Sequence, residues 1–237
     1  AWDHMVSTGL VARERARAFG LSPAHFRVQP LPIDDVRFDP ARPLPDVRAA
    51  LGIAPDAFVV VTVARLVGWK NTGWVVDAVR ALGDGVHHVV VGDGPERARL
   101  EAQAGPDLGR RVHLVGWQDP PAYVRAADAF ALPSTIESFG MVYAEAMMMG
   151  VPCVGLAADP PRVLSAAQDV IADGETGFVV RTPAELRDRL ARLAADPALR
   201  ARLAGRAREV ARAQFTPAAY VAFLGRLASA AAGQAAA

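Results

Sequence analysis

Lysine is almost missing from this 237-residue chain. Of its 26 basic residues one, Lys70, is a lysine and all the others are arginines. Cysteine is as scarce: Cys153 stands alone, which excludes an intrachain disulfide and a cysteine-rich metal site. It lies in GVPCVG, which reads as a buried strand, so an inert packing role is expected. Net charge is only +1, so no bulk charge draws the chain to nucleic acid or to a membrane surface. No apolar run approaches the length of a membrane-spanning helix. The opening AWDHMVSTGL carries charge and no cleavage pattern, so no signal peptide is expected and the expected location is cytoplasmic. The chain starts without methionine, as a processed protein or a fragment would. Hydrophobic residues make up 52%, enough for one large domain or two small ones.

From residue 57 short β-branched runs alternate with segments of helical spacing. Strands are expected at 58–64, 86–92, 111–116, 127–133, in VPCVGLA and at 176–180. Between the first two, NTGWVVDAVRALG carries an apolar stripe at Trp74, Val75, Ala78, Val79 and Leu82. GDGPERARLEAQAG is a Gly-Pro turn and a helix, DPPAYVRAA a short helix, and FGMVYAEAMMMG a helix closed by Gly150. Nearly all-apolar strands alternating with helices imply a parallel sheet covered on both faces. The expected fold class is therefore α/β, a doubly wound parallel sheet with a helical C-terminal tail. Its ligand belongs at the carboxyl ends of the strands. Thr182 and Glu185 form a capping box at the start of the helical part, and the tail to Ala237 is expected to fray.

The first residues are organised differently. DHMVST reads as a strand, ARERARAFG as a helix with Gly20 as its C-cap, and FRVQPLPID as a second strand. One such unit cannot cover both of its own faces, so residues 1–39 are expected to be the remnant of a larger sheet. Residues 40–56 are rich in proline, as a linker would be. The division is then 1–39, a linker at 40–56, the main sheet at 57–215, and a terminal helix with its tail at 216–237.

Two readings of Lys70 stay open on composition. A GC-rich coding bias could have spared one lysine by chance, or the position needs a compact, flexible point charge, as a phosphate site does. In ALPSTIESFGMVYAEAMMMG a strand ends at Leu132-Pro133 and a helix begins near Phe139-Gly140. Free N–H groups and the positive end of the helix dipole make that an anion site, and Gly140 would let a phosphate come close to the backbone. Glu145 is the only charged residue between Ser138 and Ala158. A buried carboxylate without partners costs on the order of several kcal/mol. Either an arginine or backbone amides satisfy it in the core, or it accepts hydrogen bonds from a ligand diol such as a ribose. Glu137 is an exposed loop acid or a ligand contact. His87, His88 and His113 lack metal-ligand spacing and are read as packed or exposed. Met147 to Met149 are read as core filler, and Gly92-Asp93-Gly94 is explained by a βα turn.

Glu137-Ser-Phe-Gly, with seven residues separating Glu137 from Glu145, resembles the E-x7-E motif of retaining GT-B glycosyltransferases, the family called group 1 or family 4. ARLVGWK is similar to that family's Arg-Leu-x-x-x-Lys signature. VVVGDGP, VHLVGW and DGETGFVV match in order and spacing, and FRVQPLPIDDVRFDP resembles the segment before the family's C-terminal domain. The similarity spans nearly the whole chain. It implies the Rossmann-like, donor-binding C-terminal half of a GT-B enzyme, with a remnant of the N-terminal acceptor domain. The implied reaction moves a hexose from a nucleotide diphosphate sugar to an acceptor hydroxyl, with retention at the anomeric carbon and no metal or cofactor.

Roles follow from the resemblance. Arg65 and Lys70 would meet the diphosphate and Glu137 the donor-sugar hydroxyls, and these three are the catalytic candidates. Phe139 and Gly140 would offer backbone N–H groups, and Glu145 would hold the ribose diol. Trp117 and Gln118 would lie beside the base, with Gly92 and Met141 completing the donor site. Expected partners are the nucleotide sugar, an acceptor glycan, lipid or small molecule, and the missing N-terminal domain, with peripheral membrane contact in the full enzyme. That domain would supply a glycine-rich loop and a histidine, and neither His4 nor His25 has the context of the latter. In GT-B enzymes a terminal helix like TPAAYVAFLGRLASA, apolar at Tyr220, Phe223, Leu224 and Leu227, returns to brace the N-terminal domain. Two departures stand out: Asn71 replaces the usual glycine after the lysine, and Ala157 to Pro161 replaces a Gly-Gly-x-x-Glu segment. Alternatives are a sugar-nucleotide-binding module without turnover or a GT-B epimerase, and the E-x7-E context favours transfer.

Overall fold

The structure, a computed structural model, describes residues 5–7, 20 and 26–235, with side chains at 20 and 29–229. The expected helix over 12–20, His4 and His25 therefore lie outside the described residues, Gly20 excepted. The first elements are β1 (Met5–Ser7), β2 (Phe26–Val28) and the short α1 (Val47–Ala50). Then follow β3 (Phe58–Val63), α2 (Thr72–Leu82), β4 (Val86–Val91), α3 (Arg97–Ala104), β5 (Val112–Gly116), α4 (Pro120–Arg125) and β6 (Ala129–Leu132). The rest are β7 (Ile136–Glu137), α5 (Met141–Met148), β8 (Cys153–Leu156), β9 (Leu164–Ser165), α6 (Ala167–Val170), β10 (Gly177–Val180), α7 (Pro183–Ala195), α8 (Pro197–Gln214) and α9 (Pro217–Ala235). FRVQPLPID is a strand only over Phe26–Val28. Pro30 and Pro32 have no N–H to give a ladder, which is why the strand stops.

Six strands form one parallel sheet in the order β10-β8-β6-β3-β4-β5. The chain runs outward through β4 and β5, returns to the middle at β6, and runs outward the other way. The order thus reverses between β3 and β6, and a crevice opens there at the carboxyl ends. β1 and β2 pair in parallel in a separate two-stranded sheet, as a strand–helix–strand unit would.

Alternation along β3 shows how both faces are covered. Val59 and Val61 turn to a core shared with Phe38, Phe130, Tyr143 and Phe215. Phe58 and Val60 turn to the other, built with Val75 and Val79 of α2 and Leu186, Leu190 and Leu193 of α7. Met147, Met148 and Met149 are buried in the first core. Gly150 ends α5 at φ +75°, its N–H donating to Met147 O and that of Val151 to Ala146 O, the two bonds of a Schellman motif. At the head of α7 the Thr182 hydroxyl accepts from Glu185 N, and the Glu185 carboxylate accepts from Arg181 N. Cys153 is fully buried, and desolvation pushes its thiol well above the ordinary range, so it is unreactive.

The proline-rich stretch before the sheet packs closely. Asp46 caps α1, and Val47 and Ile53 are buried. Arg48 donates to Ala57 O, Ala126 O and the Asp128 carboxylate. Ahead of it, Ile33 N donates to Phe215 O at 2.8 Å, and Ile33, Phe38 and Phe215 share the first core. The segments that lead into and out of the sheet are therefore hydrogen-bonded to each other.

His88 is fully buried, and its partners fix its tautomer. The Thr62 hydroxyl spends its proton on Ala131 O at 2.7 Å, so His88 Nε2, 2.9 Å from Thr62 Oγ1, must be the N–H. Nδ1 is then bare and has no partner. Protonation would place an unpaired donor in the core, and the imidazole pKa is accordingly pushed down to about 3 by burial, with His113 adding a smaller effect. His87 and His113 stack with ring centroids 5.6 Å apart.

Candidate functional site

The crevice at the strand-order reversal holds a cleft of about 540 Å³. The ends of β3 and β4 floor it through Val63, Arg65 and Gly92, the turn after β5 adds Trp117 and Gln118, and Val142 of α5 closes it from across the switch. Four residues expected at a donor site, Arg65, Gly92, Trp117 and Gln118, thus come together from three separate loops. Arg65 is exposed, and Trp117 is the most exposed large apolar side chain among the described residues, at 82%.

Gly92 and Gly94 are there for packing as well. A Cβ on Gly92 would lie 1.9 Å from Ala64 O, and one on Gly94 would lie 2.4 Å from Leu66 O. The βα turn must let the neighbouring loop pass this closely, as the simple reading of the Gly-Asp-Gly pair holds. Gly140 has a packing reason as well. Its φ is +77°, and a Cβ there would lie 2.5 Å from the Tyr143 ring. The aromatic ring three residues on thus also requires glycine here. Gly140 is also the N-cap of α5, and no side chain caps the helix, so its first N–H groups remain available. Phe139 is buried and stacks edge-on against Phe215, while Met141 is exposed.

Lys70 and Glu137 meet directly, with Lys70 Nζ 2.6 Å from Glu137 Oε2. Two straps bring them together. Trp69 O accepts from Thr135 N at 2.8 Å and from Thr135 Oγ1 at 3.0 Å. Asn71 Nδ2 donates to Pro133 O at 2.9 Å. Asn71 has φ +51°, the only positive φ on a non-glycine among the described residues. The sequence departs here from the expected glycine but keeps the left-handed backbone, which asparagine tolerates better than most residues.

The second departure, Ala157 to Pro161, is followed by the segment that meets Glu137. The strand partner of Ile136–Glu137 is Leu164–Ser165, and Ala166 N donates to Glu137 O at 3.0 Å. The segment beside Glu137 is therefore 164–166. Ala157 and Ala158 instead line a separate hollow of about 380 Å³ with Trp74, Thr135 and Arg181.

Glu145 lies three residues beyond Val142, on the same side of α5. No side chain among the described residues hydrogen-bonds its carboxylate, so neither an arginine bond nor amide bonds satisfy it. Burial pushes its pKa up to about 6, and the charge of Arg37 works against that rise. Arg37 also lines the cleft and forms an ion pair with Asp119, which lies in sequence between the lining residues Gln118 and Pro120. The sequence reading missed Arg37, one arginine among many, although it sits inside the FRVQPLPIDDVRFDP stretch singled out for its resemblance.

The family model described as Glycosyl transferases group 1 matches residues 57–196. The chain belongs to the group 1 glycosyltransferases. Among its curated relatives in this family is the lipopolysaccharide core biosynthesis glycosyltransferase LpsD of Rhizobium meliloti (strain 1021), 36% identical over 183 residues that cover 76% of this chain and 52% of LpsD. Another is the D-inositol 3-phosphate glycosyltransferase of Actinosynnema mirum, 33% identical over 221 residues, covering 86% of this chain and 51% of that protein. The chain spans about half the length of these two group 1 relatives. Among solved structures, Anabaena HepE in complex with UDP superposes with a TM-score of 0.83 at 23% identity, over 96% of this chain and 64% of HepE. That likeness establishes the GT-B-type α/β fold of this group 1 chain. No helix of the described residues is long and apolar enough to cross a membrane.

Proposed function

We propose that this chain is the donor-binding half of a retaining hexosyltransferase that uses a nucleotide diphosphate sugar. The observation that carries the reading is the convergence of Arg65, Gly92, Trp117 and Gln118 on one cleft closed by the uncapped first turn of α5. The nucleoside would lie over β4 and β5 beside Trp117, with Glu145 accepting from the ribose hydroxyls. The diphosphate would sit between Arg65, Lys70 and the N–H groups of α5, and the sugar would reach Glu137. Negative charge grows on the leaving diphosphate as the anomeric C–O bond breaks. Arg65, Lys70 and the helix end stabilise it there, so no metal is invoked.

The acceptor hydroxyl attacks from the face the diphosphate leaves. Its proton passes to a leaving-phosphate oxygen as the new glycosidic bond forms, and configuration is retained without a separate protein base. Residues 57–215 are assigned to donor binding, and the acceptor site to a further domain that residues 1–39 would adjoin, with 40–56 as the connection and 216–237 as a bracing helix and tail. A lone free thiol suits a reducing, cytoplasmic setting. Calorimetry with UDP, GDP and ADP in the presence of a chelator tests the reading: at least one should bind, and failure of all three with the chain folded overturns the site.

A further inference from the structure

Three facts about Arg37 belong together. It lies ahead of the sheet, outside the ARLVGWK and E-x7-E stretches, yet it lines the cleft together with Val142. It is held there by the ion pair to Asp119, beside the α4 end of the cleft, with its guanidinium 5.4 Å from the Phe38 ring centroid. Glu145, one helical turn from Val142, has no hydrogen-bond partner of its own among the described residues. Burial of a carboxylate so placed favours its protonated form.

We propose that Arg37 is a positioning residue of the donor cleft, its guanidinium acting as the counter-charge that keeps the Glu145 carboxylate available to accept the ribose hydroxyls. The proposal rests on the donor-cleft reading above and adds a residue to it. A protonated Glu145 would have one oxygen tied up as a donor and would bind a diol poorly. The elements packed against α5 bring other charged or titratable groups: Arg208 and Arg212 from α8, Asp169 from α6 and Cys153 from β8. Among the described residues, the charge of Arg37 opposes the effect of burial at Glu145. Asp119 also engages Arg37, which favours the side-chain position that lines the cleft.

The test has a readout that needs no ligand. With ¹³C-labelled glutamate, the Glu145 carboxyl titration is followed by NMR in the wild type, Arg37→Gln and Arg37→Lys. The midpoint should rise by about one unit in Arg37→Gln, as loss of a nearby opposite charge predicts, and stay near the wild-type value in Arg37→Lys. Whichever of UDP, GDP and ADP binds the wild type most tightly is then titrated from pH 5.5 to 8.5. Arg37→Gln should lose about fivefold in affinity near pH 6 and less than about twofold at pH 8.5, the linked effect of that one-unit shift. In a Glu145→Gln background the same Arg37 substitution should show no pH-dependent effect.

An unchanged Glu145 midpoint overturns the proposal. So does an affinity loss of equal size at all pH values, or one that persists without Glu145, because Arg37 would then contact the ligand or merely support the fold. If no nucleotide binds the wild type, the donor-cleft reading fails instead, and the NMR result still decides whether Arg37 and Glu145 are coupled.

Discussion

Lys70 and Glu137 are bound to each other at 2.6 Å, each more than four-fifths buried. The residue proposed to meet phosphate and the residue proposed to meet sugar thus satisfy one another when neither is present. A phosphate that draws on the Lys70 ammonium loosens its hold on Glu137 and leaves carboxylate lone pairs for sugar hydroxyls. Recognition of the two parts of the donor would then be coupled through one ion pair. Glu137→Gln should bind a nucleoside diphosphate a few-fold more tightly than the wild type, since Lys70 loses its competitor. Lys70→Ala should lose about 1.5–3 kcal/mol of nucleotide affinity, the worth of a charge-assisted bond. It should also melt earlier, because Glu137 is left buried and unpaired. Calorimetry and melting curves on both variants measure this, and weaker nucleotide binding by Glu137→Gln would contradict the competition.

Glu145→Ala should weaken nucleosides and nucleoside diphosphates by similar factors, because the proposed contact is to the ribose they share. Calorimetry with each nucleoside and its diphosphate gives the two factors. Unchanged binding with an altered melting temperature would make Glu145 a structural residue and remove it from the site.

His88 should dominate the first part of acid destabilisation. Its folded pKa is about 3 against 6.5 for the free side chain, so below pH 6.5 the unfolded chain takes up a proton that the folded chain refuses. The stabilisation is complete above pH 6.5 and is lost as pH falls from there towards 3, by an amount on the order of a few kcal/mol. Asp107, held down to about 2 chiefly by hydrogen bonds from Arg111 and then Arg110, adds its own loss only below about pH 4. His88→Gln, which can still donate to Thr62, should flatten the melting temperature between pH 6.5 and 4. A steep slope that survives in this variant would place the acid sensitivity elsewhere.

The chain alone should transfer no sugar and should self-associate. Val221 and Leu224 of α9 are exposed, and Tyr220, Phe223 and Leu227 are only partly covered. Exposed apolar faces and open strand edges both drive association. The proposed acceptor site also lies beyond these residues, so a bound donor would face no aligned nucleophile. Light scattering and a radiolabelled donor assay test the two statements. A monomer that transfers sugar would show that the acceptor site is already present.

The six-stranded sheet was legible because each of its strands is a short, mostly apolar run set between helical periods, and that rhythm admits few topologies; the two-residue strands Ile136–Glu137 and Leu164–Ser165 carry no such signal. The helix start at Met141 and the Schellman end at Gly150 were legible from local chemistry. What a linear sequence cannot display is which side chains meet across distant loops. The Lys70–Glu137 pair joins positions 67 residues apart, and Arg37 reaches the cleft from a segment that looked like a connection. Gly140 and Asn71 were singled out, but their conformational roles were not legible: one must clear the Tyr143 ring, and the other sits in a left-handed turn. That 164–166 lie beside Glu137 was not legible either, because sequence order hides the loop that carries them there.

The bond between Ile33 and Phe215 has a mechanical consequence. Chain entering at Ile33 and chain leaving at Phe215 pass through a single spot on the sheet's surface, clamped by one backbone hydrogen bond and by the Phe139–Phe215 ring contact. A body tethered on both sides of that spot can rotate about it with little stretching of either tether, whereas translation away from it would pull both at once. Such a fastening would act as a pivot. Phe139 links the pivot to the loop that carries Glu137, so a twist of such a body would be felt first where the sugar is proposed to lie.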